Sequence, residues 1–131
     1  MENRKMADEI LIVDENPGVQ RTLKRFLTQN GYSVVTTNSV QSAMSLIGQS
    51  TPSLVILDIK MPRIDGIELI HLLRENSYPF PVIVMTAYPT FFTREEALKN
   101  GVSAYVTKPF DPEEILEYIC QLQTCGKAYG N

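Results

Sequence analysis

The chain has 131 residues, which suits one domain with a single core. Hydrophobic residues make up 44% of it and charged residues 21%, a globular balance that sets aside disordered and fibrous classes. A net charge of −3 argues against nucleic acid or an anionic membrane as the main partner. No apolar run approaches the roughly 20 residues of a membrane span, and the polar start, Met1 to Met6, lacks a signal-peptide apolar region. A cytoplasmic location is therefore expected. Cys120 and Cys125, with one distant His, do not make a metal site and are expected to be ordinary reduced thiols.

In chain order, short apolar runs alternate with segments of helical period. Ile10-Leu11-Ile12-Val13 has strand length and no polar interruption, as do Leu54-Val55-Ile56-Leu57 and Val82-Ile83-Val84-Met85. Strands apolar on both faces suit a parallel sheet covered by helices on each side. Ser33-Val34-Val35-Thr36 and Ala104-Tyr105-Val106 are shorter and more polar, as edge strands are. Asn16-Pro17 predicts a helix start, with Asn as cap and Pro in the first turn; Val19, Leu23, Phe26 and Leu27 follow at helical spacing and Gly31 stops the segment. Further helices are predicted over 39–48, 64–76 and 90–100, the last ended by Gly101. Asp111-Pro112-Glu113-Glu114 opens a fifth helix whose Ile115, Leu116, Ile119 and Leu122 share a face.

Five strand–helix units in one alternation imply right-handed crossovers and a doubly wound parallel sheet. The expected division is an N-terminal tail over 1–7, a domain over 8–123, and a C-terminal tail or start of a linker over 124–131.

Ligands of such sheets bind beyond the C-terminal ends of the strands. Asp14 and Glu15 follow the first strand, Asp58 the third, Thr86 the fourth and Lys108 the fifth. An acid after one strand is usually a cap or loop residue. Three carboxylates, a hydroxyl and an ammonium on one rim are more specific. Carboxylates that close call for a cation, and hard oxygen ligands favour Mg²⁺. A carboxylate can attack a phosphoryl group and form an aspartyl phosphate. Mg²⁺ and Lys108 would neutralise the equatorial oxygens, and Thr86 would donate to the product.

Four segments carry a resemblance. They are Ile10 to Pro17 (ILIVDENP), Leu54 to Gly66 (LVILDIKMPRIDG), Val84 to Ala87 (VMTA) and Tyr105 to Phe110 (YVTKPF). In this order and spacing, over residues 8–122, the sequence resembles the response-regulator receiver domains of two-component signalling. The resemblance implies a flavodoxin-like α/β/α sandwich with strand order 2-1-3-4-5. It implies Asp58 as phosphoacceptor, Asp14 and Glu15 as the acidic pair holding Mg²⁺, and the backbone carbonyl of Lys60 as a further metal ligand. Thr86 and Lys108 would contact the phosphoryl oxygens, Tyr105 would be the aromatic switch residue, and the Lys108–Pro109 bond would be cis.

The commonest pattern has Asp at the second acidic position. Glu15 is longer by a methylene, which leaves direct coordination and coordination through a bridging water both open. Lys60 and Tyr88, two residues beyond Asp58 and Thr86, are candidates for shielding the acyl phosphate and lengthening its life; the alternative is that both face solvent. Phe91 and Phe92 diverge by about 100° on a helix, so one of them is a candidate partner-surface residue unless the loop folds back over both. His71 reads as a surface residue.

The resemblance implies a phosphorylation-controlled switch and not an enzyme. Its donor would be a histidine kinase or a histidine phosphotransfer protein. Its output, a homodimer or a downstream effector, would use the face of the fourth helix, fifth strand and fifth helix, with no direct contact to nucleic acid or membrane. Two other readings are weighed. A haloacid-dehalogenase-like phosphatase would need a second Asp where Lys60 stands. A constitutive receiver-like adaptor would never be phosphorylated. A dinucleotide site fails for want of a Gly-x-Gly-x-x-Gly after a strand.

Overall fold

A computed structural model describes residues 9–59, 65–87 and 89–130, with the backbone alone described at 65–66, 91–93 and 124–130. Five strands form one parallel sheet: β1 (Glu9–Val13), β2 (Ser33–Thr37), β3 (Leu54–Asp58), β4 (Val82–Thr86) and β5 (Ala104–Thr107). Their order is β2-β1-β3-β4-β5, the doubly wound arrangement expected from the alternation. Between and after them run α1 (Pro17–Gln29), α2 (Val40–Gln49), α3 (Asp65–Glu75), α4 (Phe91–Lys99) and α5 (Pro112–Gly130).

The three continuous apolar runs are the three central strands, and their alternate residues feed two cores. Ile10, Ile12, Leu54, Ile56, Ile83 and Met85 pack with Leu23 and Leu27 of α1 and Ile115 and Ile119 of α5. Leu11, Val13, Val55, Leu57, Val82 and Val84 pack on the other side with Ala43 and Ile47 of α2 and with Ile67, Ile70 and Leu73 of α3. Each fully buried Leu or Ile contributes about 1.5–3 kcal/mol. With residues of this kind on both faces, the sheet is a rigid base for the loops at its C-terminal edge.

The helix ends follow their sequence signals. Asn16 accepts from the N–H groups of Gly18 (2.8 Å) and Val19 (3.2 Å), satisfying donors that the first turn leaves without partners. Gly31, at φ 95°, takes the left-handed conformation that lets Tyr32 N–H turn back to the Leu27 carbonyl. Asp111 caps α5 through the N–H of Glu113 at 3.0 Å. Helix α5 then runs to Gly130, so residues 124–130, expected as tail or linker, continue it. Gly126 lies within this run, and one Gly costs a helix only about 1 kcal/mol and need not end it.

Candidate functional site

Parallel register brings the strand ends level. Asp58 lies opposite Met85, and Thr86 opposite Thr107, so the residues that end β3 and β4 and those that follow β1 and β5 gather at one edge. Asp14 is the first residue after β1 and is 2% exposed. Its N–H donates to the Thr37 carbonyl at the end of β2 (3.0 Å). Its Oδ1 accepts from the N–H of Asn16 (2.8 Å) and its Oδ2 from Lys108 Nζ (3.0 Å). Lys108 Nζ also lies 3.5 Å from Asp58 Oδ2. One ammonium therefore bridges acids from two strands. The Lys108 side chain is 15% exposed, so this pairing is screened less than a surface salt bridge.

Thr86, the last residue of β4, is fully buried, and its Oγ1 donates to the Ile59 carbonyl at 3.0 Å. Ile59 N–H donates in turn to the Met85 carbonyl (3.0 Å). Lys108 N–H donates to the Thr86 carbonyl (2.7 Å), and the Lys108–Pro109 peptide is cis, as expected. The residue after Asp58 and the residue carrying the ammonium are thus both tied to the end of β4.

The structure brings Asp14, Asp58 and Lys108 into direct contact, with Thr86 one strand away and bonded to the residue after Asp58. Glu15 stands exposed on the rim. Among the described residues no three acidic, His or Cys side chains converge closely enough to form a metal cage by themselves. Mg²⁺ does not need one, since it keeps several waters and binds through one or two carboxylates plus phosphate oxygens. Two carboxylates already gathered around a cationic group are a donor set of that kind, so Asp14 and Asp58 fit the ion.

Tyr105 sits half-buried in β5 against the core that includes Val84 and Ala97, and the guanidinium of Arg94 lies 5.7 Å from its ring centroid. His71 is exposed, as expected, with Nε2 3.6 Å from Glu96 Oε1. Cys120 is a free, exposed thiol. Lys60 and Tyr88, the candidates for phosphate lifetime, lie outside the described residues, as do the side chains of Phe91 and Phe92. No described helix is long and apolar enough to cross a membrane.

Two residues at or near this edge were not found from the sequence. Gln20 donates from its amide nitrogen to the carbonyls of Asp14 (2.5 Å) and Thr37 (3.0 Å). Ile59 supplies the carbonyl that holds Thr86.

The sequence profile of the response regulator receiver domain matches residues 10–120. The chain belongs to that family. This receiver domain of a two-component system is 39% identical over 111 residues to the response regulator MprA of Mycolicibacterium vanbaalenii, covering 85% of this chain and 48% of that protein. The chain thus spans about half the length of the curated relatives it matches. Among solved structures, it is similar to a CheY-like receiver domain protein from Methanospirillum hungatei, with a TM-score of 0.84, 28% identity, and coverage of 92% of this chain and 98% of that one. A DNA-binding response regulator of the LuxR family from Staphylococcus aureus matches with a TM-score of 0.80 and 28% identity, covering 88% and 98%.

Proposed function

We propose that this receiver domain accepts a phosphoryl group on Asp58 from a partner's phosphohistidine and changes its partner-binding face in response. The observation that carries the reading is the single ammonium of Lys108 shared between Asp14 and Asp58, at 3.0 and 3.5 Å. A carboxylate oxygen of Asp58 attacks phosphorus, an O–P bond forms, the N–P bond to the donor imidazole breaks, and that nitrogen keeps the electron pair and takes up a proton. Lys108 is placed to offset charge on the transferred oxygens. Asp14 and Asp58, with Glu15 and the Lys60 carbonyl as further candidate ligands, would hold Mg²⁺, which would supply the remaining positive charge.

The donor's access is a cleft of about 700 Å³ beside Lys108, lined by Val19 and Thr22 of α1 and by Pro109, Phe110 and Pro112. Its mainly apolar wall next to a charged site suits a histidine kinase or histidine phosphotransfer protein that presents its phosphohistidine above Asp58. Thr86 and Tyr105 relay the change to the face of α4, β5 and α5, where a second copy or an effector would bind. The domain acts as a switch with only slow loss of its own phosphate and no turnover of other phosphate esters.

Incubation with a small acyl phosphodonor and Mg²⁺, followed by intact mass, tests this. A gain of one phosphoryl group is expected in the parent chain and none in Asp58→Asn. No gain under saturating donor would favour the constitutive adaptor.

A further inference from the structure

We propose that Gln20 is the positioning residue of the acidic turn: it fixes the peptide that joins Asp14 to Glu15, and so sets how both carboxylates meet a divalent cation. The inference rests on the phosphorylation reading above and concerns a side chain that touches no reacting atom.

Gln20 lies one turn into α1, and its amide nitrogen has two hydrogens. Both are used, one on the Asp14 carbonyl and one on the Thr37 carbonyl. Both partners accept only, so the amide orientation is fixed by chemistry: the nitrogen must face them. The two carbonyls lie at the ends of neighbouring strands, β1 and β2. Gln20 therefore ties α1 to both at the level where the rim begins.

The Thr37 carbonyl also receives the N–H of Asp14. Asp14 is thus held at its N–H by Thr37, at its C=O by Gln20, and at its carboxylate by Asn16 N–H and Lys108 Nζ. Only the hold on the C=O comes from a side chain outside the rim. Because the peptide is planar, fixing the Asp14 oxygen also fixes the N–H and Cα of Glu15. Glu15 is exposed, and where its backbone is held sets the point from which its long side chain reaches toward the metal. A metal site whose second acid is a Glu gains particularly from such an anchor, because its own side chain is less pre-set than that of Asp.

The test compares Gln20→Met, which keeps the length and loses the donor, Gln20→Glu, which keeps the shape and turns a carboxylate toward two carbonyls, and Gln20→Lys, which restores a donor. Mg²⁺ Kd is measured by calorimetric titration, unfolding by urea, and hydrogen exchange at the Glu15 amide in metal-free protein. Removing an outer partner of a metal ligand weakens metal binding about 10–100-fold. A loss in that range is expected for Met and Glu, with faster exchange at Glu15 and recovery of most of the affinity in Lys. A role in folding alone would lower the urea midpoint and leave Kd unchanged, and that result in Gln20→Met overturns the proposal. If Gln20→Met does not fold, Gln20→Glu is judged by the same criterion. A parent chain that binds no Mg²⁺ overturns the phosphorylation reading and this proposal with it, whereas retained binding in the variants overturns this proposal alone.

Discussion

Thr86 is a fully buried hydroxyl, and its bond to the Ile59 carbonyl helps to make it tolerable there. On the proposed reading the same hydroxyl must leave Ile59 to reach a phosphoryl oxygen on Asp58. The metal-free, unphosphorylated arrangement is therefore held by a bond that switching has to exchange for a stronger, charge-assisted one. Thr86→Val keeps the volume and strands the carbonyl, so stability should fall by about 1–3 kcal/mol, read as a lower urea midpoint at unchanged slope. The variant should still gain phosphoryl mass, while the amide shifts of β5 stop responding to phosphorylation. A full β5 response in Thr86→Val would remove the hydroxyl from the relay. The acids, the Lys and the Thr of this site were legible in the sequence because each follows a strand in one register. Gln20 and Ile59 were not, because they act through backbone carbonyls. Any residue type can offer a carbonyl, and nothing in the spacing of Gln20 marks which carbonyl its amide will meet.

At the scale of elements, the described part of α4 has little apolar anchorage. Of its described side chains only Ala97 is buried in the core, and Leu98 is 47% exposed. It is held in part by polar contacts. Arg94 lies over Tyr105, Glu96 meets His71 of α3, and Arg74 of α3 reaches past the end of α4. That arginine donates to the carbonyls of Asn100 (2.9 Å), Tyr78 (3.1 Å) and Gly101 (3.2 Å), joining the C-terminal ends of two helices. A helix held this way can move at lower cost than one held by buried Leu and Ile, which suits an output face. Arg74→Met keeps much of the stem's packing and removes the donors. It should cost about 1–3 kcal/mol in urea unfolding and speed amide exchange in α4 before the central strands. Uniform exchange across the domain would show that α4 is not a separate unit. The central strands and the α1 and α5 starts were plain from apolar runs and caps. The hold on α4 was not, since its sequence has no clear apolar stripe and its anchors are single side chains from a neighbouring helix. The run of α5 through Gly126 was likewise hidden, because a helix well started can absorb one poor residue.

The whole molecule separates support from chemistry. Two apolar cores clamp the sheet from both sides, and Asp14, Asp58 and Lys108 gather where the strands end. Among the described residues, Lys108 is the cation that pairs with both Asp14 and Asp58 on that rim. Asp14 and Asp58 share that one ammonium, and the carboxylate charge it does not offset is a pull on Mg²⁺. The same ammonium occupies Asp14 Oδ2, so the ion must share or displace it, and part of the binding energy goes into that exchange. Folding is linked to the outcome, because only the folded chain assembles Asp14 with Asp58. At about one hundred times its Kd, an ion bound only by the folded chain stabilises it by about 2.7 kcal/mol. Urea unfolding of the parent should therefore shift upward with MgCl₂ and return with chelator, while NaCl of equal ionic strength produces little shift. Asp14→Asn removes one of the carboxylate charges that attract the ion and should abolish most of the gain. Equal stabilisation of Asp14→Asn and the parent would mean that the ion acts elsewhere on the molecule, and the pairing of Asp14 with Asp58 through Lys108 would then be a structural salt bridge only.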